Sequence, residues 1–169
     1  MKSLFSLFVA ASISLVACGQ GNPPASPAAT AKQTLDNGAT VTVSYGQPSV
    51  KGRTIGDNLE PMSGKVWRAG ANKATVFETD KDLTIEGQAL KAGKYGFFVI
   101  VGDNDAWTFI FNKTWDQWGA YSYKESDDVA RIPAKTEKGT FSEKLTYTID
   151  KNGKMTINWG DKQASVMIK

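Results

Sequence analysis

Two apolar runs near the middle of the chain, Tyr95-Gly96-Phe97-Phe98-Val99-Ile100-Val101 and Ala106-Trp107-Thr108-Phe109-Ile110-Phe111, are separated only by Gly102-Asp103-Asn104-Asp105. Aromatic and β-branched residues favour extended backbone, and Gly, Asn and Asp tolerate the left-handed geometry of a tight turn. The pattern therefore predicts a central antiparallel hairpin. Neither run alternates with polar residues, so both faces of the hairpin must be covered. A sheet covered on both sides requires a layered fold, and this pair limits the architecture more than any other part of the chain.

The flanking segments agree. Period-two alternation marks strands at Thr40-Val41-Thr42-Val43-Ser44-Tyr45, at Ala74-Thr75-Val76-Phe77-Glu78-Thr79 and at Leu83-Thr84-Ile85-Glu86. Lys144-Leu145-Thr146-Tyr147-Thr148-Ile149 and Lys154-Met155-Thr156-Ile157-Asn158-Trp159 predict a second hairpin through Asn152-Gly153. Gly160-Asp161 then leads to a further strand over residues 164–168, which completes a C-terminal meander. No stretch of a dozen residues holds a helical stripe, and short helical turns are expected only near residues 57–62 and 114–118. The fold class is all-β, an antiparallel β-sandwich or jelly-roll in one domain spanning residues 32–169.

The N-terminus points to the compartment. Lys2, the short apolar stretch from Leu4 to Val16 and Ala17 read as a secretion signal over residues 1–17, too short to span a bilayer. Leu15-Val16-Ala17-Cys18 looks like a lipobox, so Cys18 is the expected lipidation site, and residues 18–31, rich in Gly, Asn, Pro, Ser and Ala, are expected to be a disordered tether. No Asp follows Cys18 to favour retention in an inner membrane. The expected location is the bacterial cell envelope, lipid-anchored, at an outer membrane facing the periplasm. Cys18 is the single cysteine, so no disulfide is available and stability rests on packing.

Composition excludes more than it selects. There is no histidine, which removes the commonest general base and transition-metal ligand. The 20 Lys and Arg against 17 Asp and Glu read as scattered, without a block that would recruit nucleic acid. No cofactor is implied.

Three segments mix aromatics, glycines, amides and guanidinium groups more tightly than plain strands do: Tyr45-Gly46-Gln47-Pro48-Ser49-Val50-Lys51-Gly52-Arg53, Val66-Trp67-Arg68-Ala69-Gly70-Ala71-Asn72, and Asn112-Lys113-Thr114-Trp115-Asp116-Gln117-Trp118-Gly119-Ala120-Tyr121. With Ala92-Gly93-Lys94-Tyr95 as a fourth element, the chain from Val43 to Pro133 resembles a bacterial family known as domain of unknown function 2911. That resemblance implies a secreted or lipid-anchored β domain and brings no activity or catalytic residue with it.

The candidate ligand-binding residues are Tyr45, Arg53, Trp67, Arg68, Asn72, Asn112, Trp115, Trp118 and Tyr121. Arginine beside aromatics and amides suits bidentate or stacking contacts to a carboxylate, phosphate or sugar. Against this, Arg53 and Arg68 pair equally well with Asp57, Glu60 or Asp116 to pin loops, Asn72 and Asn112 satisfy backbone groups at strand ends, and Trp115, Trp118 and Tyr121 form a satellite hydrophobic cluster as readily as a sugar-stacking platform. Trp107, Phe109 and Trp159 read as core. Catalytic constellations are thin: Ser49 with Lys51 lacks a third group, Asp103, Asp105, Asp127 and Asp128 fit no calcium loop, and Asp116 with Glu125 is a carboxylate pair of unknown separation.

The reading that follows is a non-catalytic module recognising a glycan or cell-wall fragment. Its alternatives are a module for an envelope protein partner, by strand addition at an edge, and a hydrolase using a carboxylate pair. For the anchor, Cys18→Ser is expected to move the protein to the soluble fraction or leave it as uncleaved precursor. A fatty-acylated, membrane-bound protein in that variant would refute lipidation at Cys18.

Overall fold

The computed structural model describes residues 25–169. Cys18, the signal segment and the first part of the expected tether lie outside the described residues. Ten strands follow in chain order: β1 (Ala28–Thr34), β2 (Thr40–Gly46), β3 (Thr75–Thr79), β4 (Leu83–Ile85), β5 (Gln88–Leu90), β6 (Gly93–Val101), β7 (Trp107–Asn112), β8 (Asp128–Pro133), β9 (Lys135–Ile149) and β10 (Lys154–Met167). Six of them form one antiparallel sheet in the order β1-β2-β3-β6-β7-β8, and the expected central hairpin is β6 and β7, paired from Gly96↔Asn112 to Val101↔Trp107.

The second layer is built on the long β9–β10 hairpin. β4 joins the end of β10 through paired bonds, Thr84 N–H to the Lys169 carbonyl at 2.7 Å and Lys169 N–H to that of Thr84 at 2.8 Å. Residues 48–50 join β9 on its other side, with Val50 N–H bonded to the Glu143 carbonyl and Leu145 N–H to that of Pro48. The chain passes from one layer to the other at Ala134, between β8 and β9. Strands of the first sheet pair in chain order, and the chain leaves the sheet between β2 and β3, at the β4–β5 excursion and between β7 and β8; with the second layer against it the fold is a sandwich.

Alternate residues of the two layers meet in one core. Val41, Val43, Phe77, Phe97, Phe109, Phe111 and Ile132 face Leu145, Tyr147, Ile157, Trp159 and Val166, each nearly or fully buried. The aromatic rings meet edge to face, Phe77 with Phe111 at 5.0 Å and Phe97 with Phe109 at 5.1 Å, the arrangement that ring quadrupoles favour. Truncating one of these phenylalanines to Ala costs about 3–5 kcal/mol. The opposite face of the central hairpin is buried as well: Phe98 and Ile110 pack under Val66, Ala120 and Tyr123. Continuous apolarity in the two runs thus has its physical cause in two distinct covers.

β5, β8 and the first half of β9 were not expected as strands, and three further features differ from the sequence reading. β1 takes in residues 28–31, assigned there to the tether; Ala and Thr gave no apolar alternation, yet the strand pairs with β2 along its whole length, from Ala28↔Gly46 to Thr34↔Thr40. The folded unit therefore begins before Lys32. β10 runs through Gly160-Asp161 without turning. Its register against β9 shifts around Gly160, whose φ is +57°, and the inward set changes from Met155, Ile157 and Trp159 to Ala164, Val166 and Ile168. A bulge had the composition of a turn. The short helical turns stand at Asp103–Asp105 and Glu125–Asp127, whereas residues 57–62 and 114–118 form irregular turns.

Candidate functional site

Two irregular arms cover the outer face of the six-stranded sheet, and each lies on it at a glycine. The first arm, residues 66–74, begins as a neighbour of β6: Trp67 exchanges both backbone bonds with Val99, at 2.8 and 2.9 Å. It then turns over β2, where a Cβ on Gly46 would stand 2.2 Å from the Ala71 carbonyl oxygen. The second arm, residues 113–124, crosses β6, where a Cβ on Gly96 would stand 2.7 Å from the Thr114 carbonyl oxygen and 2.7 Å from the ring of Phe98, which the arm covers. Neither glycine has positive φ, so close approach is the reason for both. The arms are then tied to each other: Gly119 N–H bonds the Asn72 carbonyl at 3.0 Å, Ala74 N–H bonds that of Gln117 at 3.0 Å, and Lys73 bridges Trp118.

Buried polar groups fix the arms from within. Ala69 is fully buried at φ +49°, a left-handed conformation costly for a residue with a side chain. Its carbonyl accepts from the Tyr147 hydroxyl at 2.6 Å and the Thr75 hydroxyl at 3.0 Å, which hold it there. Arg68 donates to the Asn72 carbonyl at 2.9 Å and lies against Gly119, where a Cβ would come within 3.4 Å of the guanidinium. In the second arm, the buried Gln117 amide donates to the Thr114 carbonyl and accepts from Ser122 N–H. Asn112, fully buried, donates to the Lys124 carbonyl at 2.9 Å and to Asp128 at 2.7 Å, and accepts from Thr114 N–H. Asp128 also takes bonds from Tyr123 and Arg131.

Against this rigid support, three aromatic side chains remain in solvent: Trp115 is 38% exposed, Trp118 57% and Tyr121 83%. Lys94 stands over the Trp115 ring at 5.3 Å and pairs with Glu78, and Lys73 pairs with Asp116. Both pairs are exposed, so they hold the cations weakly and leave them exchangeable. Beside this rim, a groove of about 330 Å³ runs between the first arm and the outer face of β1, β2 and β3, lined mainly by Ala28, Thr30, Ser44, Asn72, Lys73 and Val76.

The nine sequence candidates thus separate. Arg68, Asn72, Trp115, Trp118 and Tyr121 lie on or beside the joined arms. Tyr45 is buried against Tyr147, with ring centroids 4.6 Å apart, and Trp67 is buried edge-on to Trp107. Neither presents its ring to solvent, and Asn112 is a buried clasp of the second arm. Arg53 lies elsewhere and bonds the carbonyls of Val50 and Ser49 in its own turn, not a carboxylate. Lys73, Lys94 and Gln117 were missed. Lys94 was legible as the outward position of a strand beside Gly93, but the pairing of Lys73 with the second arm was not.

The catalytic candidates do not converge. Asp116 and Glu125 are exposed and held by different cations, Lys73 and Arg131. Lys51 lies in a turn at φ +49° next to the Ser49 bridge to Lys144, so strand spacing does not relate it to Ser49. Among the described residues no group of three acidic or sulfur ligands is placed to hold a metal.

Fold and face together define an antiparallel β-sandwich whose outer sheet carries two clasped arms with an exposed aromatic rim. The chain belongs to the family described as "Protein of unknown function (DUF2911)", whose model matches residues 26–168, nearly the whole described fold and well beyond the motifs that suggested it. No curated protein and no solved structure matches the chain.

The Tyr147 clasp makes stability depend on alkaline pH. Burial, and then Tyr45, push its hydroxyl well above the usual tyrosine value of 10.0, and burial with the Asp128 bond raises Tyr123 likewise. A raised value means the stabilisation is complete below the unfolded pKa and is lost as pH climbs from there toward the folded one. Urea unfolding is expected to show stability falling above about pH 10, with a shallower fall in Tyr147→Phe. Equal slopes in both proteins would contradict a buried, protonated Tyr147.

Proposed function

We propose that the protein is a lipid-anchored, non-catalytic binding module of the bacterial cell envelope that recognises a glycan or cell-wall fragment through Trp115, Trp118 and Tyr121, with Arg68, Asn72 and Lys73 supplying polar contacts. The single observation carrying this reading is the exposure of the three aromatics on arms whose own backbone is clamped to the sheet. Large aromatic faces left in water on a rigid support are a preorganised surface for a partner with apolar faces and a polar rim, and a sugar ring has both. Arg68 spends one N–H on Asn72 and, among the described residues, keeps its other donors without a protein acceptor. Anchoring through Cys18 at an outer membrane facing the periplasm belongs to the same proposal.

The test is titration of the chain from Gly19 onward with peptidoglycan fragments and envelope polysaccharides, followed by tryptophan fluorescence. Saturable binding is expected, weakened at least about tenfold by Trp118→Ala, as for a central aromatic contact, and unchanged by the remote Arg53→Ala. Absence of any saturable response would overturn the glycan reading and favour a protein partner added at the edge strand β1.

A further inference from the structure

We infer that the anchored protein turns its aromatic rim toward the membrane that holds it, so that its ligand is the sugar headgroup of a lipid-linked glycan on that same surface; this rests on the anchored glycan-binding reading. The chain enters the fold at the rim. Asn72 donates through its side-chain amide to the Ser26 carbonyl at 3.1 Å, and the carbonyl of the same Asn72 accepts from Gly119, next to Trp118. Gln47 N–H bonds the Pro27 carbonyl at 2.8 Å, and Ala28 and Thr30 line the groove that the first arm overhangs. Ser26 is therefore pinned within one residue's contact of the exposed aromatics.

Length supplies the second step. Seven residues lie between Cys18 and Ser26, so the eight Cα steps from one to the other reach at most about 30 Å at full extension. A domain of this size has a radius of gyration of about 15 Å and is roughly 40 Å across. The strand that begins at the pinned entry, β1, carries the chain away from it to Thr34, near the β9–β10 turn, where Asp36 N–H bonds the Lys151 carbonyl at 2.8 Å. A tether shorter than the domain holds the entry end near the bilayer and leaves the Lys151 end farther out. The residue types fit such a place: Trp and Tyr concentrate at the level of lipid headgroups, and Lys73 and Arg68 stand beside them.

The test uses the full lipidated chain, whose only native thiol is the acylated Cys18, so that Tyr121→Cys or Lys151→Cys adds a single labelling site. Each labelled protein is reconstituted in phosphatidylcholine vesicles carrying a headgroup quencher. Quenching is expected to be several-fold stronger at position 121 than at 151; equal quenching, or the reverse, overturns the inference. In a second arm, the chain from Gly19 onward is sedimented with phosphatidylcholine vesicles carrying a polyprenyl-diphosphate-linked disaccharide, and titrated with the free disaccharide. Co-sedimentation with the lipid-linked disaccharide, lost in Trp118→Ala, supports the inference. Binding of the free disaccharide without vesicle binding overturns it and leaves the glycan reading standing, whereas no binding in either form removes both.

Discussion

Two close approaches of backbone to backbone, over Gly46 and over Gly96, set the geometry of everything outside the core. A sheet normally keeps a covering loop at the distance of a side chain. Here two strands lack a side chain at neighbouring points of the outer face, so carbonyl groups of the arms lie directly on the sheet. Each arm is thereby lowered far enough for Ala120 and Val66 to seal Phe98 and Ile110 beneath it. Burial of the central hairpin on its second face and the position of the aromatic rim have the same cause.

Rigidity of the arms follows from how their polar groups are satisfied. A left-handed Ala69, a buried Asn112 and a buried Gln117 would each be costly alone, and all three find partners inside the structure. With the arm backbone fixed, Trp118 and Tyr121 leave the surface from defined backbone positions. Preorganisation of this kind reduces the ordering cost of binding, which is the physical basis for reading the rim as a site and not as surplus apolar surface.

The core was largely legible in the sequence because its signal is periodic: β2, β3, β6, β7 and the turn-proximal halves of β9 and β10 all follow alternation or continuous apolarity. β1 and the first half of β9 escaped notice because Ala, Thr, Lys and Glu at their positions carry no such pattern, β5 and β8 because they are short or lack clean alternation, and pairing with a neighbour holds all four extended. The site was only partly legible. Motif composition marked the right segments but not the division of labour within them, since Trp67 and Trp118 are the same residue type in similar surroundings. One faces the core because its backbone pairs with Val99; the other faces solvent because the arm has already crossed the sheet. That distinction depends on contacts far apart in sequence.

The most direct measurement is the stability and amide exchange of Gly96→Ala. In a strand at ordinary φ, replacing Gly by Ala normally stabilises by about 0.4–1 kcal/mol. Close approach at Gly96 predicts the opposite sign, a loss of at least about 1 kcal/mol from overpacking. It also predicts faster hydrogen exchange at the amides of Ala74 and Gly119, which join the arms. A neutral or stabilising effect with unchanged protection at those amides would contradict the claim that close approach at this glycine seats the aromatic arm.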